Sequence, residues 1–211
     1  MFLPLFVRWW KSEDDPETID GMRKVLSPYG VEAIVPISFV TGKESLTYAT
    51  LGNMRGAVKF SKMFPDARVA WSSCSYPFPG AEEVENAYRV KMLKNERPRM
   101  EPIIAGPMIN SVDEAMKIKE KLAERGISPK CILLVTGELH SRSARYIWKK
   151  VFPGTRILVS CIPYTLEIQP DHPVKDQRVM WKWVLSNILR QAALRVLPLD
   201  MVRKIQHKAA H

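Results

Sequence analysis

Five short apolar runs, separated by segments of helical spacing, constrain this chain more than any other feature. They are Val31–Phe39, Arg68–Trp71, Pro102–Ala105, Ile132–Val135 and Arg156–Ile162, at intervals of roughly 25 to 35 residues. Between them lie patterns of helical period. Leu51–Phe64 has Met54, Val58 and Met63 on one face; Ala81–Lys94 follows, then Asn110 to about Arg125, then a segment carrying Ala144, Ile147, Trp148 and Val151. Run, helix, run is the signature of βαβ crossovers, whose fixed hand lays parallel strands into one sheet. The expected fold is a Rossmann-like three-layer α/β sandwich, with about five mostly parallel strands and helices on both faces. The chain has 211 residues, 46% of them apolar, and no long linker. It reads as a single α/β domain with its core over 31–162 and a basic amphipathic helix over 174–197.

Local punctuation refines the outline. Pro36 removes a ladder donor from the first run, so the strand ends or bulges there. Ser27-Pro28-Tyr29-Gly30 closes a short helical piece around Ile19–Leu26. Asn110 or Ser111 precedes a helix with Asp113 and Glu114 in its first turn, a pattern close to a capping box. Glu82, Glu83 and Glu85 suit the positive end of a helix and read as structural. Pro163–Pro173 reads as irregular. The helix after Val174 carries Val179, Trp183, Ile188 and Leu194, and Pro198 reads as its stop.

Charge and composition exclude several classes. The net charge is +10, and from Val174 onward eight Lys/Arg stand against Asp176 and Asp200, so +6 of it lies in that tail. Such a tail is a solvated face or a contact for an anionic membrane; nucleic acid is less favoured, because no base-stacking motif accompanies the charge. Cys74, Cys131 and Cys161 are odd in number and lack metal spacing, which fits a reduced, cytoplasmic compartment. His140, His172, His207 and His211 form no His-x3-His pair, so no metal site is expected. The apolar start falls short of the ~20 residues a membrane span needs and lacks the marks of a secretory signal. No dinucleotide fingerprint, phosphate loop or nucleophile elbow is present, which argues against ordinary dehydrogenases, P-loop ATPases and α/β-hydrolases.

Open α/β sheets bind ligands beyond the carboxyl ends of their strands, where the winding reverses. In a doubly wound order the first and fourth strands lie side by side. Their outgoing loops, Ser38–Ser45 and Thr136–Ser141, then face each other, and Ser38, Thr41, Glu138 and His140 become neighbours. His140 is the candidate catalytic acid–base, since imidazole titrates near neutrality. Helix starts near Asn110 and His140 offer N–H groups to an anion, with Arg55 adding charge.

The order of pieces also resembles a known family. Ala33–Ser38, Arg55, Asn110-Ser111-Val112-Asp113-Glu114-Ala115 and Thr136-Gly137-Glu138-Leu139-His140-Ser141-Arg142-Ser143-Ala144 follow one another as in the YdcF/SanA/ElyC family of bacterial α/β proteins. The likeness covers roughly Ala33 to Cys161, and its most specific parts are the last two segments. It implies a Rossmann-like fold and a ligand such as S-adenosylmethionine or a nucleotide. It also implies a link to envelope or lipid-carrier metabolism, with no settled reaction. Carried over position by position, it implies Arg55, Asn110, Asp113 and His140 as pocket residues, with Ser38, Thr136 and Glu138 beside them. There are departures. Ile37-Ser38-Phe39 stands where the family has Leu-Gly-Gly, Ser72-Ser73 stands for Ser-Gly, and Ser143 holds the place of an arginine. Arg142 points roughly away from His140 on a helix and does not substitute for it. The expected partner is a small anionic metabolite. The alternatives are a non-catalytic module whose basic helix meets an anionic membrane or nucleic acid, and a dimer contact through Met180, Trp181 and Leu185.

Overall fold

Apolar runs too short for a helix and bounded by turn residues become strands. In the computed structural model these are β1 Ala33–Pro36, β2 Arg68–Cys74, β3 Ile103–Met108, β4 Cys131–Gly137 and β5 Arg156–Ile162. The structure describes residues 2–14, 19, 30–41, 46–75 and 80–210. Of the helical piece expected at Ile19–Leu26, all but Ile19 lies outside the described residues. The helices are α1 Phe2–Trp10, α2 Tyr48–Met63, α3 Ala81–Glu96, α4 Ser111–Glu124, α5 Ser141–Val151, α6 Met180–Val196 and α7 Leu199–Ala210.

The strands pair in the order β3-β2-β1-β4-β5, every neighbour parallel. Right-handed crossovers that first run one way and then the other place α2 and α3 on one face and α4 and α5 on the opposite one. This is a three-layer, Rossmann-like α/β sandwich. Its central strands are apolar throughout and buried on both faces, Ala33–Val35 in β1 and Ile132–Val135 in β4. β1 is shorter than the run Val31–Phe39 because it ends at Pro36. β2 and β3 run further than expected, to Cys74 and Met108, with a register shift between Trp71 and Ser73.

Glycine lets α2 approach the sheet closely. A Cβ at Gly56 would lie 2.7 Å from Val135 Cγ1, and one at Gly52 would lie 3.0 Å from Ile162 Cδ1. Only a missing side chain at these two positions, one helical turn apart, permits that approach.

The ends of the chain clamp the far side. Asp14 pairs with the edge strand β5, its N–H donating to the Val159 carbonyl (2.8 Å) and its carboxylate accepting the Val159 N–H (2.7 Å). An otherwise open edge is thereby covered. Arg142 donates to the Trp10 and Trp9 carbonyls (2.8 and 3.0 Å) and stacks on both rings, so its work is to dock α1. A 3-10 turn over Lys175–Arg178 replaces the first turn expected of the C-terminal helix. α6 ends at Val196, just before Pro198 as expected, and the Pro198 carbonyl then accepts the Met201 and Val202 N–H groups at the start of α7. α6 packs on α5, and α7 on α4. Among the described residues, no helix is long and apolar enough to cross a membrane.

Candidate functional site

The winding reverses between β1 and β4, and the segments that leave these strands meet. The Phe39 ring packs edge-on against His140 at 5.4 Å between centroids, and against Trp183 of α6 at 6.3 Å. The next residue, Val40, has φ of 68°, a left-handed backbone that a β-branched side chain rarely adopts. Such strain costs roughly 1–3 kcal/mol and persists only where the surroundings enforce it. Here Thr50 enforces it, its hydroxyl accepting the Phe39 N–H and donating to the Val40 carbonyl, both at 3.0 Å.

His140 opens α5 and is 2% exposed. A guanidinium carries donors only, so Arg190 donates to His140 Nδ1 (3.2 Å). The proton of the neutral ring then sits on Nε2 and is donated to Ser111 Oγ (3.3 Å). Burial, followed by the Arg190 charge, pushes the imidazole down to about 3. At neutral pH the ring stays uncharged and has little affinity for a second proton, so its surroundings do not suit the acid–base role expected from the sequence. What it does is position Arg190. That guanidinium lies over the Trp183 ring (5.4 Å), and among the described residues no carboxylate forms a salt bridge with it.

The helix starts offered to an anion are already filled by the protein itself. At α5, the Glu167 carboxylate accepts the Leu139 N–H (2.8 Å), faces the His140 N–H, and accepts from Trp183 Nε1 (3.1 Å). At α4, Asn110 Oδ1 accepts the Val112 and Asp113 N–H groups (3.1 and 2.9 Å), which makes Asn110 the N-cap. Asn110→Ala should therefore lower stability by about 1 kcal/mol. An unchanged urea midpoint would show that the cap contributes nothing. The Asp113 carboxylate is also engaged, with Arg203 of α7 at 2.6 Å and the Ile109 N–H at 3.3 Å.

The remaining expected residues divide between two directions. Ser38 turns toward β2, where its hydroxyl donates to Glu85 (2.7 Å) and its N–H to Glu114 (3.1 Å). Glu85 and Arg89 form a fully buried ion pair at 2.5 Å. Glu85 also accepts the Cys74 N–H (2.9 Å), and Arg89 donates to the Pro36 carbonyl (3.1 Å). Burial raises Glu114 to about 8, opposed by the Ser38 N–H and Arg89. Glu138 turns the other way, toward Lys11 (3.4 Å) and the Tyr164 N–H (3.0 Å) at the end of β5. Ser38 and Glu138 are thus not neighbours, although the loops that carry them meet through Phe39 and His140. Thr136 is buried at the end of β4. Arg55 is exposed on α2, and no described contact ties it to the crevice.

Several buried polar atoms around this edge have no partner: Thr41 Oγ1, Asn110 Nδ2, Glu114 Oε2, Thr136 Oγ1 and Ser143 Oγ. Buried polar groups in native proteins are nearly always bonded, so an unmet group asks for water or a ligand. Sequence reasoning did not place Arg190, Glu114, Glu167 or Trp183 at this edge: it read Arg190 as part of the basic helix, Glu114 as a helix-start acid and Trp183 as core. The only trace of Glu167 is Gly137, whose missing side chain makes room for its carboxyl. Among the described residues, no three or more His, Cys, Asp or Glu side chains gather as metal ligands would. Compared with protein-family models, curated proteins and solved structures, the chain shows no significant match to any of them.

Proposed function

We propose that the protein binds the anionic group of a small metabolite, of nucleotide or S-adenosylmethionine type, where the sheet reverses between β1 and β4. The observation that carries this reading is Arg190: a part-buried guanidinium, held by His140 and Trp183, with no carboxylate salt-bridged to it among the described residues. Burial makes this cation costly, Asp176 and Glu167 offset that cost only through space, and a bound anion relieves it through charge-assisted hydrogen bonds. The unmet Thr136, Ser143 and Asn110 atoms and the strained Val40 at the same sheet edge support the reading, as does the resemblance to the YdcF/SanA/ElyC family. The compartment suggested by the cysteines is cytoplasmic. His140 is a positioning residue here, and no reaction step is assigned to it.

The test is calorimetric titration with inorganic phosphate, AMP and S-adenosylmethionine. At least one of them should saturate a single site, and Arg190→Gln should weaken it at least tenfold, by loss of a charge-assisted pair. Because His140 stays neutral down to about pH 3, it should add no step near pH 6.5. The change seen there with phosphate or AMP should be that of the ligand's own second ionisation and should persist in His140→Gln. Absence of saturable binding to all three probes, or an indifferent Arg190→Gln variant, overturns the reading. A step near pH 6.5 that disappears in His140→Gln would return His140 to a titrating role.

A further inference from the structure

α6 is amphipathic the wrong way round. The face it turns to the protein holds Trp183, Asn187, Gln191 and Leu194, all buried, together with Arg190. The face turned to solvent holds Trp181 (63% exposed), Leu185, Ile188, Leu189 (60%) and Val196 (81%). At about 100° per residue these five fall within a single sector of roughly 100°. α7, joined to α6 through Pro198, adds exposed Met201 and Ile205. An isolated exposed leucine needs no explanation, but a continuous stripe along a helix marks a contact surface.

Basic residues border the stripe. Lys182, Arg195 and Lys204 are exposed, and Lys182 Nζ lies 5.7 Å from the centre of the Trp181 ring. We propose that this face of α6 and α7 docks on an anionic lipid surface, with the apolar stripe entering the headgroup boundary and the basic border meeting lipid phosphates. Tryptophan, leucine and isoleucine flanked by Lys/Arg is the composition of an interfacial helix. Charge argues against a second copy of the chain as the occupant. Lys182, Arg195 and Lys204 stand exposed on these helices against exposed Asp200, so a symmetric contact would bring two net-positive surfaces together. The helix lies on the membrane and does not span it, since no described helix is long and apolar enough to cross.

The test is flotation of the full chain with vesicles of phosphatidylcholine alone, and with about one-third phosphatidylglycerol, across a salt series. The chain should bind the anionic vesicles at low salt and release steeply as salt rises. Lys182→Glu with Arg195→Glu should weaken binding at least about 25-fold, from the loss of roughly 1 kcal/mol per basic residue. Leu185→Glu with Leu189→Glu should weaken it at least tenfold, with the melting temperature unchanged because both side chains face solvent. A folded chain that ignores anionic vesicles at low salt overturns the proposal. So does a stripe variant that binds as well as the natural chain, or a dimer in sedimentation that the stripe variant dissociates while vesicles go unbound. Arg190→Gln should bind vesicles normally, so failure here and failure of the metabolite site are separate results.

Discussion

Gly137→Ala is expected to destabilise the protein by about 3 kcal/mol or more, toward the upper end of single-substitution effects. A Cβ at this position would overlap the Glu167 carboxyl carbon and Cγ and lie 2.5 Å from Oε1. The glutamate has nowhere to retreat. It is fully buried, and its two oxygens hold the Leu139 N–H and Trp183 Nε1. Moving it would strand both donors, at roughly 1–3 kcal/mol each. Trp183 also supports the Arg190 guanidinium, so metabolite binding should fall with stability. Urea unfolding of Gly137→Ala, Glu167→Ala and the double variant separates clash from lost bonds. Glu167→Ala alone should be destabilised through the stranded donors, and adding Gly137→Ala to it should cost little more, a large non-additivity. A Gly137→Ala midpoint close to the natural one, or additive losses, would remove Glu167 from this account.

The same pair shows what the sequence discloses and what it hides. Strand positions were legible because period and turn chemistry are local. The adjacency of β1 and β4 followed from taking the strand order as doubly wound, a topology that needs no side-chain detail. The jobs of buried polar residues were hidden, because they are set by partners far along the chain. His140 looks like an acid–base until Arg190, fifty residues on, claims its lone pair. Asn110 and Asp113 look like ligand contacts until one is found capping α4 and the other holding α7. α6 misleads for a different reason. Val179, Trp183, Ile188 and Leu194 suggest an inward apolar face, yet only Trp183 and Leu194 are buried while Val179 and Ile188 are exposed. Periodicity shows that a stripe exists, but not which side of the helix the protein covers.

Stability should be greatest in mildly acidic solution and fall from about pH 6.5 to about pH 8. Two buried carboxyls set the alkaline limb. Glu167 and Glu114 are each raised from 4.5 to about 8, mainly by burial. Glu138 adds to the rise at Glu167 and Glu85 to that at Glu114, while Arg89 opposes the latter. Between those values the unfolded chain has released protons that the folded one still holds. The slope of stability with pH is therefore negative, and each group withdraws up to roughly 5 kcal/mol by the time its folded-state carboxyl ionises. Two buried imidazoles act in the opposite sense. His140 and His172 are lowered from 6.5 to about 3 and about 4, again chiefly by burial. His172 is held neutral by burial, which outweighs the opposing pull of the Val174 and Phe39 backbone, the Phe39 carbonyl accepting from Nε2 at 3.2 Å. Below pH 6.5 the unfolded chain binds protons that these rings refuse, so stability falls with acid. From pH 4.5 to 6.5 the two slopes cancel and leave a plateau; above it only the carboxyls act, and below it only the imidazoles. Urea midpoints measured from pH 4 to 8.5 should trace this asymmetric profile, and Glu167→Gln should remove about half of the alkaline limb. A midpoint that rises between pH 6.5 and 8 would mean that these carboxyls are already ionised in the folded protein. Glu167 would then stand at the crevice as a permanent negative charge, and an anion beside Arg190 would be disfavoured.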